Sequence, residues 1–157
     1  RICKALRDIE KGYVKHSVGR RRRSLKGKIY HKLFDSLMFF QRSFRRAVNT
    51  NERIVNLVIA FEVLLTDYYS SGMGDRLVEN LRLAIKGVPG TLKYQAALKE
   101  LYKARCEIVH SGKNPTSTLD IADAKKAFVH AFVGVVERLA KLPVSSSQPI
   151  ADILGNK

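Results

Sequence analysis

The sequence contains little cysteine and proline and no tryptophan, and the first two scarcities exclude particular kinds of protein. Its 157 residues include two cysteines and four prolines. Cys3 and Cys106 have no metal-site or redox spacing, which argues against a disulfide framework and indicates a reducing compartment, taken here as the cytoplasm. Because proline breaks helices, its rarity favours a helical chain.

Several signatures of catalysis are also missing. The sequence contains no GxxxxGK[ST] phosphate loop and no Gly-x-Ser-x-Gly nucleophile motif. His16, His31 and His130 have no ligand-like neighbours in the sequence, so we expect no metal site and no cofactor.

The chain lacks a long hydrophobic run. The longest, residues 54–65, is interrupted by Asn56 and Glu62 and is too short to span a membrane. No signal peptide is visible, so we expect no membrane partner. Because the chain starts at Arg1 without a methionine, we expect one domain of a longer protein, with an upstream domain or a regulatory partner protein.

The strongest compositional feature is positive charge in the first third of the chain. Residues 1–50 hold 15 basic and 3 acidic side chains, whereas residues 51–157 hold 14 and 11. Such an uneven distribution indicates a polyanionic partner, although a solvated basic surface or a disordered basic arm explains it too. Within this third, the run Arg20, Arg21, Arg22 and Arg23 with Lys26 and Lys28 is suited to binding phosphates or to serving as a targeting patch.

Apolar residues recur at helical spacing along most of the chain, and no strand pattern competes. The spacing predicts an all-α bundle of four to five main helices. The run Asn49-Thr50-Asn51 is expected to supply an N-cap, and Asp75 and Thr118 are the other expected N-caps. The predicted helices, the first of them only weakly amphipathic, are residues 2–17, 29–48, 52–69, 76–86, 91–110 and 119–142.

We divide the chain into three parts on this pattern. Residues 1–28 form a basic N-terminal segment, residues 29–142 form the helical domain, and residues 143–157 form a C-terminal tail that begins at Pro143 and the run SSSQP.

The stretch ARCEIVHSGK, residues 104–113, raises the question of function. It ends a predicted helix with Arg105 and, five residues later, His110. Such a pair is compatible with a helix-end histidine bonded to the last carbonyls and an arginine in a salt bridge. It is also compatible with two catalytic residues of one site.

Glu62 adds to the second interpretation. It interrupts LVIAFEVLL, which otherwise has the composition of a buried helix. An unpaired buried carboxylate costs several kcal/mol, so we expect either that Glu62 pairs with Arg105 or that it reaches solvent at the edge of the apolar stripe.

Together these segments resemble the HEPN superfamily, most closely its Apea-like branch. The resemblance lies in NLVIAFEVLLTD, with its Glu-x-Leu-Leu, and LYKARCEIVHSGK some 40 residues later, followed by a long terminal helix. It covers roughly residues 29–142, and the matching positions are Glu62, Leu64, Leu65, Tyr102, Arg105, His110 and Gly112.

The resemblance implies a helical bundle that commonly dimerises and that in many members is a metal-independent ribonuclease, often in toxin or antiviral defence systems. On this basis Arg105, His110 and Glu62 are the expected catalytic residues, and RNA and a second copy of the chain are the expected partners. The RNA-binding residues are then expected to be Arg20, Arg21, Arg22, Arg23, Lys26, Lys28, Tyr102 and Lys113.

A second function stays open at this point. The superfamily also contains members that have lost catalysis and serve in binding. A non-catalytic domain that binds nucleic acid or a partner protein explains the basic first third equally well, and it requires nothing of His110 beyond a helix end.

Overall fold

A computed structural model of the chain describes residues 1–17, 24–45, 49–69, 71–112, 115, 120–139 and 148–155. Within these residues the regular structure is helical, without strands, which confirms the all-α prediction. None of the described helices is long and apolar enough to cross a membrane. In chain order the helices are α1 (Ile2–Ser17), α2 (Leu25–Arg42), α3 (Thr50–Leu65), α4 (Met73–Ala84), α5 (Thr91–Ser111), α6 (Ile121–Leu139) and α7 (Pro149–Leu154).

Helix α3 packs against α2, α4, α5 and α6. Its Phe61 is fully buried and meets Phe128 of α6 edge to face at 5.4 Å, an arrangement favoured by the ring quadrupoles. Helix α1 packs on α2 and α6. Ala5 of α1 and Ile29 of α2 lie in the same hydrophobic core. Helix α1, within the predicted basic N-terminal segment (residues 1–28), therefore packs in one unit with the helical domain.

Side-chain caps fix where several helices begin. The side chain of Ser24 accepts a hydrogen bond from the amide of Gly27 at 3.0 Å. The side chain of Asn49, the first residue of the run expected to supply a cap, accepts one from the amide of Glu52 at 2.8 Å. The Asp120 carboxylate accepts the amide of Asp123 at 3.0 Å. Each bond satisfies one of the amides that a helix N-terminus leaves unpaired.

Some predicted helix bounds are wrong. Helix α2 begins at Leu25 rather than 29, because Ser24 caps it, and ends at Arg42. There the Ser43 hydroxyl donates to the Phe40 carbonyl at 2.6 Å, a local bond that competes with the helix. Asp75 is not an N-cap, since α4 starts after Gly72. The Thr118 cap lies outside the described residues.

Helix α7 was not predicted, and it is held by a distant residue. The carboxylate of Asp67, just beyond α3, accepts the amides of Ile150 and Ala151 at 2.9 to 3.1 Å. Ile150 and Leu154 are buried in the core. Asp67 therefore replaces the local cap that α7 lacks, and it fixes this segment against the bundle.

Three aromatic residues that belong to the apolar helical spacing of the sequence are exposed. Phe34, Phe44 and Tyr68 expose about half of their surface, 50%, 52% and 52%. Phe44 and Tyr68 lie beyond the observed ends of α2 and α3, where the helical period no longer sets the direction of a side chain. Phe34 lies on α2 and packs against Tyr13 of α1 at 5.2 Å, so it covers the seam between the two helices.

A close approach of α4 and α6 depends on Gly134. A Cβ atom at this position would overlap the backbone carbonyl oxygen of Ala84. Arg138, one turn further along α6, donates to the same carbonyl at 3.2 Å. Because a backbone oxygen cannot move without moving α4, the contact requires a glycine here.

We expect Gly134→Ala to lower the free energy of unfolding by about 1–3 kcal/mol, since overpacking outweighs the roughly 1 kcal/mol that alanine gains in helix propensity. Urea unfolding followed by circular dichroism measures it. Gly74→Ala is the matched control, because its Cβ would meet the ring of Tyr102 at 2.9 Å, and a side chain can shift. Equal stability of the two variants would contradict this account.

Candidate functional site

The packing of α5 against α3 brings Arg105 close to Glu62. Glu62 is half-buried, at the edge of the apolar face of α3. Burial raises the pKa of its carboxyl, and the nearby charge of Arg105 opposes that increase by a smaller amount. The two residues that the sequence suggested as partners are therefore neighbours in space.

The two side chains are not directly bonded. Oε1 of Glu62 and Nε of Arg105 are buried and have no hydrogen-bond partner among the described residues. The ion pairs formed by the described residues join other side chains and do not include Glu62 or Arg105. An unsatisfied buried polar atom costs about 1–3 kcal/mol, and in a native structure such an atom calls for an explanation, of which a functional role is one.

Tyr102 completes this cluster on α5. Its ring centre lies 6.0 Å from the guanidinium carbon of Arg105, at the outer limit of a cation–π contact. Burial is the main cause that raises the pKa of the Tyr102 hydroxyl, with smaller contributions from Cys106 and Glu62. Gly74 at the start of α4 makes room for this ring.

A cavity of about 350 Å³ adjoins Glu62. The ammonium of Lys32 reaches into this region from α2 and donates to the Thr66 carbonyl, and burial lowers its pKa. Tyr69, 76% exposed, borders the cavity on the solvent side. The lining residues are Lys32, Glu62, Val63, Thr66, Asp67, Tyr68, Tyr69 and Met73.

His110 stands apart from Arg105 within one copy of the chain. Helix α5 continues through Ser111 and ends at Gly112, whose left-handed conformation lets its amide bond the Ile108 carbonyl at 3.1 Å. On a regular helix Arg105 and His110 are about 7.5 Å apart along the axis and point about 140° apart. His110 is exposed, so it faces solvent at the far edge of the helix surface that carries Arg105.

The surface between these two residues is partly apolar. On a helical projection, Val109, Tyr102 and Cys106 fall inside the arc of about 140° from Arg105 to His110. Val109 is 52% exposed, and Cys106 is a free, half-buried thiol. The last turns of α5 therefore present an exposed valine flanked by an arginine on one side and a histidine on the other.

The predicted RNA-binding residues are only partly described. Arg20 to Arg23 and Lys113 lie outside the described residues. Lys26 and Lys28 are exposed in the first turn of α2, on an element different from that of Tyr102. Sequence reasoning missed Lys32 and Tyr69, which line the same cavity as Glu62, because the packing of α2 on α3 and the turn after α3 bring these residues together.

The described residues contain no group of three or more histidine, cysteine, aspartate or glutamate side chains that could hold a metal ion. Neither a scan of protein-family models nor searches of curated proteins and of solved structures returned a match. The function of the chain must therefore be argued from its residues and their geometry.

The raised pKa of Glu62 leads to a test by pH. Ionising this carboxyl costs more free energy in the folded protein than in the unfolded chain. The cost is absent below the unfolded-state pKa, about 4.3, and is complete above the folded-state pKa. The parent therefore loses stability across this interval as the pH rises, and Glu62→Gln does not.

We expect Glu62→Gln to become progressively more stable relative to the parent as the pH rises from about 4 to 7. Urea unfolding at a series of pH values measures the difference. Glu100→Gln is the control, because Glu100 is an exposed carboxylate on α5. A Glu62→Gln difference that stays constant with pH would contradict the burial argument.

Proposed function

We propose that this chain is a HEPN-type, metal-independent endoribonuclease domain that works as a homodimer in the cytoplasm. One observation carries the proposal. Glu62 and Arg105 come from the two segments of the resemblance, more than 40 residues apart in the chain. They lie close enough for the charge of Arg105 to oppose the rise in the pKa of Glu62, and each has a buried polar atom that lacks a hydrogen-bond partner.

RNA can be cut without a metal ion because its own 2′-hydroxyl can attack the adjacent phosphate. The protein must remove the proton from that hydroxyl, supply a proton to the leaving 5′-oxygen, and stabilise the negative charge on the phosphorane. The nucleophile belongs to the substrate, so no nucleophilic side chain is required. The missing serine and cysteine motifs are compatible with this chemistry.

In this proposal Arg105 binds the reacting phosphate. A guanidinium offers a planar fork of charged donors that fits phosphate oxygens. The nearby Glu62 attracts the guanidinium without a hydrogen bond to Nε, so Arg105 is oriented while donor capacity remains. Glu62 then acts as a positioning residue for Arg105.

His110 transfers protons in this proposal. An imidazole is suited to this role because its ordinary pKa lies near neutrality. The exposed ring at the end of α5 is accessible to a substrate. One ring, however, cannot be both the acid and the base in one step, so the reaction calls for a second histidine.

A second copy of the chain supplies that histidine if two α5 ends meet across a twofold axis. Within one copy, Arg105 and His110 face directions about 140° apart, so neither completes a site with the other alone. Val109 is exposed and lies within the arc between them, about 40° from Arg105, and burying it would favour contact between two copies. A composite site would then use Arg105 and His110 of both copies.

The second candidate function is a catalytically inactive domain of the same type that binds nucleic acid or a partner protein. The separation of His110 from Arg105 in one copy and the strongly basic first third favour it. The wider assignment to a toxin or antiviral defence system, and an upstream domain or regulatory partner, remain proposals that follow from the resemblance.

Incubation of the purified protein with mixed RNA in EDTA tests the activity. We expect cleavage that leaves 2′,3′-cyclic phosphate ends, and no cleavage of DNA, which lacks the attacking hydroxyl. His110→Ala is expected to lower the rate by at least about 10²-fold, the usual effect of removing a general acid or base. Arg105→Ala is expected to abolish cleavage as well.

The control for this experiment is His130→Ala on α6, which removes a different histidine. Circular dichroism checks that each variant folds. If His110→Ala cuts RNA as fast as the parent does, His110 is only a helix end and the catalytic proposal fails. If the parent also leaves RNA intact, the binding domain becomes the better interpretation.

Val109→Asp tests the dimer. Burying an unpaired carboxylate in an interface costs on the order of several kcal/mol. We therefore expect the parent to sediment as a dimer at tens of micromolar and this variant to sediment as an inactive monomer. Leu92→Asp is the matched control, because Leu92 is 83% exposed at the opposite end of α5. A parent that is strictly monomeric would rule out the composite site.

A further inference from the structure

Helix α1 has two chemically distinct sides. Its buried side carries Ala5, Ile9 and Gly12, which fall within about 60° of one another on a helical projection and face α2 and α6. The exposed side carries four cations, Lys4, Arg7, Lys11 and Lys15.

These four cations form one stripe. Their spacing of three, four and four residues confines them to an arc of about 80°, and they extend about 16 Å along the helix axis. All four are exposed. We call this set the α1 stripe.

The α1 stripe remains basic when its neighbours are included. Asp8 lies at its edge on the same helix. Glu137 of α6 is close enough for Lys4 to lower its pKa, but its main partner is Arg1, at 2.6 Å. Arg7 also donates from Nε to the Cys3 carbonyl at 3.3 Å, which orients its guanidinium along the helix.

The stripe lies on a different part of the bundle from Arg105. Helix α1 packs on α2 and α6, whereas Arg105 is on α5, which packs on α3, α4 and α6. The cations of α1 are therefore not an extension of the cluster around Glu62, and their role can be tested separately.

A linear array of exposed cations fits a linear polyanion. A nucleic acid strand carries one negative charge per residue, and lysine and arginine bind its phosphates with release of counterions. An anionic membrane fits less well, because a membrane-surface helix needs a continuous free apolar face. Ala5, Ile9 and Gly12 of α1 are buried in the bundle, and its exposed apolar residues, Ile2, Leu6 and Val14, are spread over about 120° of the helix.

We propose that the α1 stripe binds the phosphate backbone of a nucleic acid, independently of sequence and of the sugar. It deepens the proposed function by giving the chain a substrate-holding surface apart from the catalytic residues. Because phosphates are common to RNA and DNA, single-stranded DNA is expected to bind this surface although it cannot be cut.

The test uses the full chain and a labelled single-stranded DNA, with binding measured by fluorescence anisotropy at several salt concentrations. The variant is Lys4→Gln, Lys11→Gln and Lys15→Gln together. The matched control is Lys86→Gln, Lys99→Gln and Lys126→Gln, which removes the same charge from three lysines that are exposed elsewhere.

We expect the α1 variant to flatten the slope of log K against log salt by about 2, since each phosphate contact on a single strand contributes about 0.7. If the two proteins converge near 1 M salt, this slope change corresponds to about a hundredfold weaker binding near 0.1 M. The control is expected to keep nearly the parental slope. A single-stranded RNA of the same sequence should give the same differences.

Several outcomes would overturn the proposal. One is an unchanged slope in the α1 variant, and another is an equal loss in the control, which would mean that only net charge matters. A third is that vesicles rich in anionic lipid bind the parent while nucleic acid does not. If the parent binds DNA but does not cut RNA, the result counts only against the proposed ribonuclease. The failure of the α1 proposal and the failure of the ribonuclease proposal are therefore distinguishable.

Discussion

The position of one carboxylate constrains the candidate site. Helix α3 is surrounded by α2, α4, α5 and α6, so a charged residue along its length has few directions that avoid apolar neighbours. Glu62 lies at the edge of the buried face, and the opposing helix α5 places Arg105 there. An unopposed charge would be costly in this position, which limits the register and rotation of α5 against α3.

The same bundle separates two kinds of positive charge. Arg105 is half-buried, close to a carboxylate and above an aromatic ring, an environment that restricts its guanidinium. The cations of α1 are exposed and follow one another along a helix, where side chains stay adaptable and interactions are screened by salt. The environment of Arg105 suits the orientation of a single guanidinium, whereas the exposed cations of α1 suit the attraction of a polyanion.

Much of the fold could be predicted from the sequence, because long amphipathic helices repeat their apolar residues over several turns. This period located α1 to α6, and residue type predicted a cap within the run Asn49-Thr50-Asn51, which the structure places at Asn49. Helix α7 was missed because six residues are less than two turns and give no measurable period. Its cap, Asp67, is 83 residues away from Ile150, a relation that no local pattern contains.

For the candidate site, the sequence by itself determined which residues are chemically suitable: Glu62, Arg105 and His110, and a surplus of cations in the first third. Only the tertiary structure decided how these residues lie relative to one another and which of them are exposed. It set Glu62 and Arg105 together without a direct bond, and it turned four α1 cations outward by burying Ala5 and Ile9. The physical reason is that residue type and spacing specify charge and periodicity along one helix, whereas distances between helices depend on how their side chains pack.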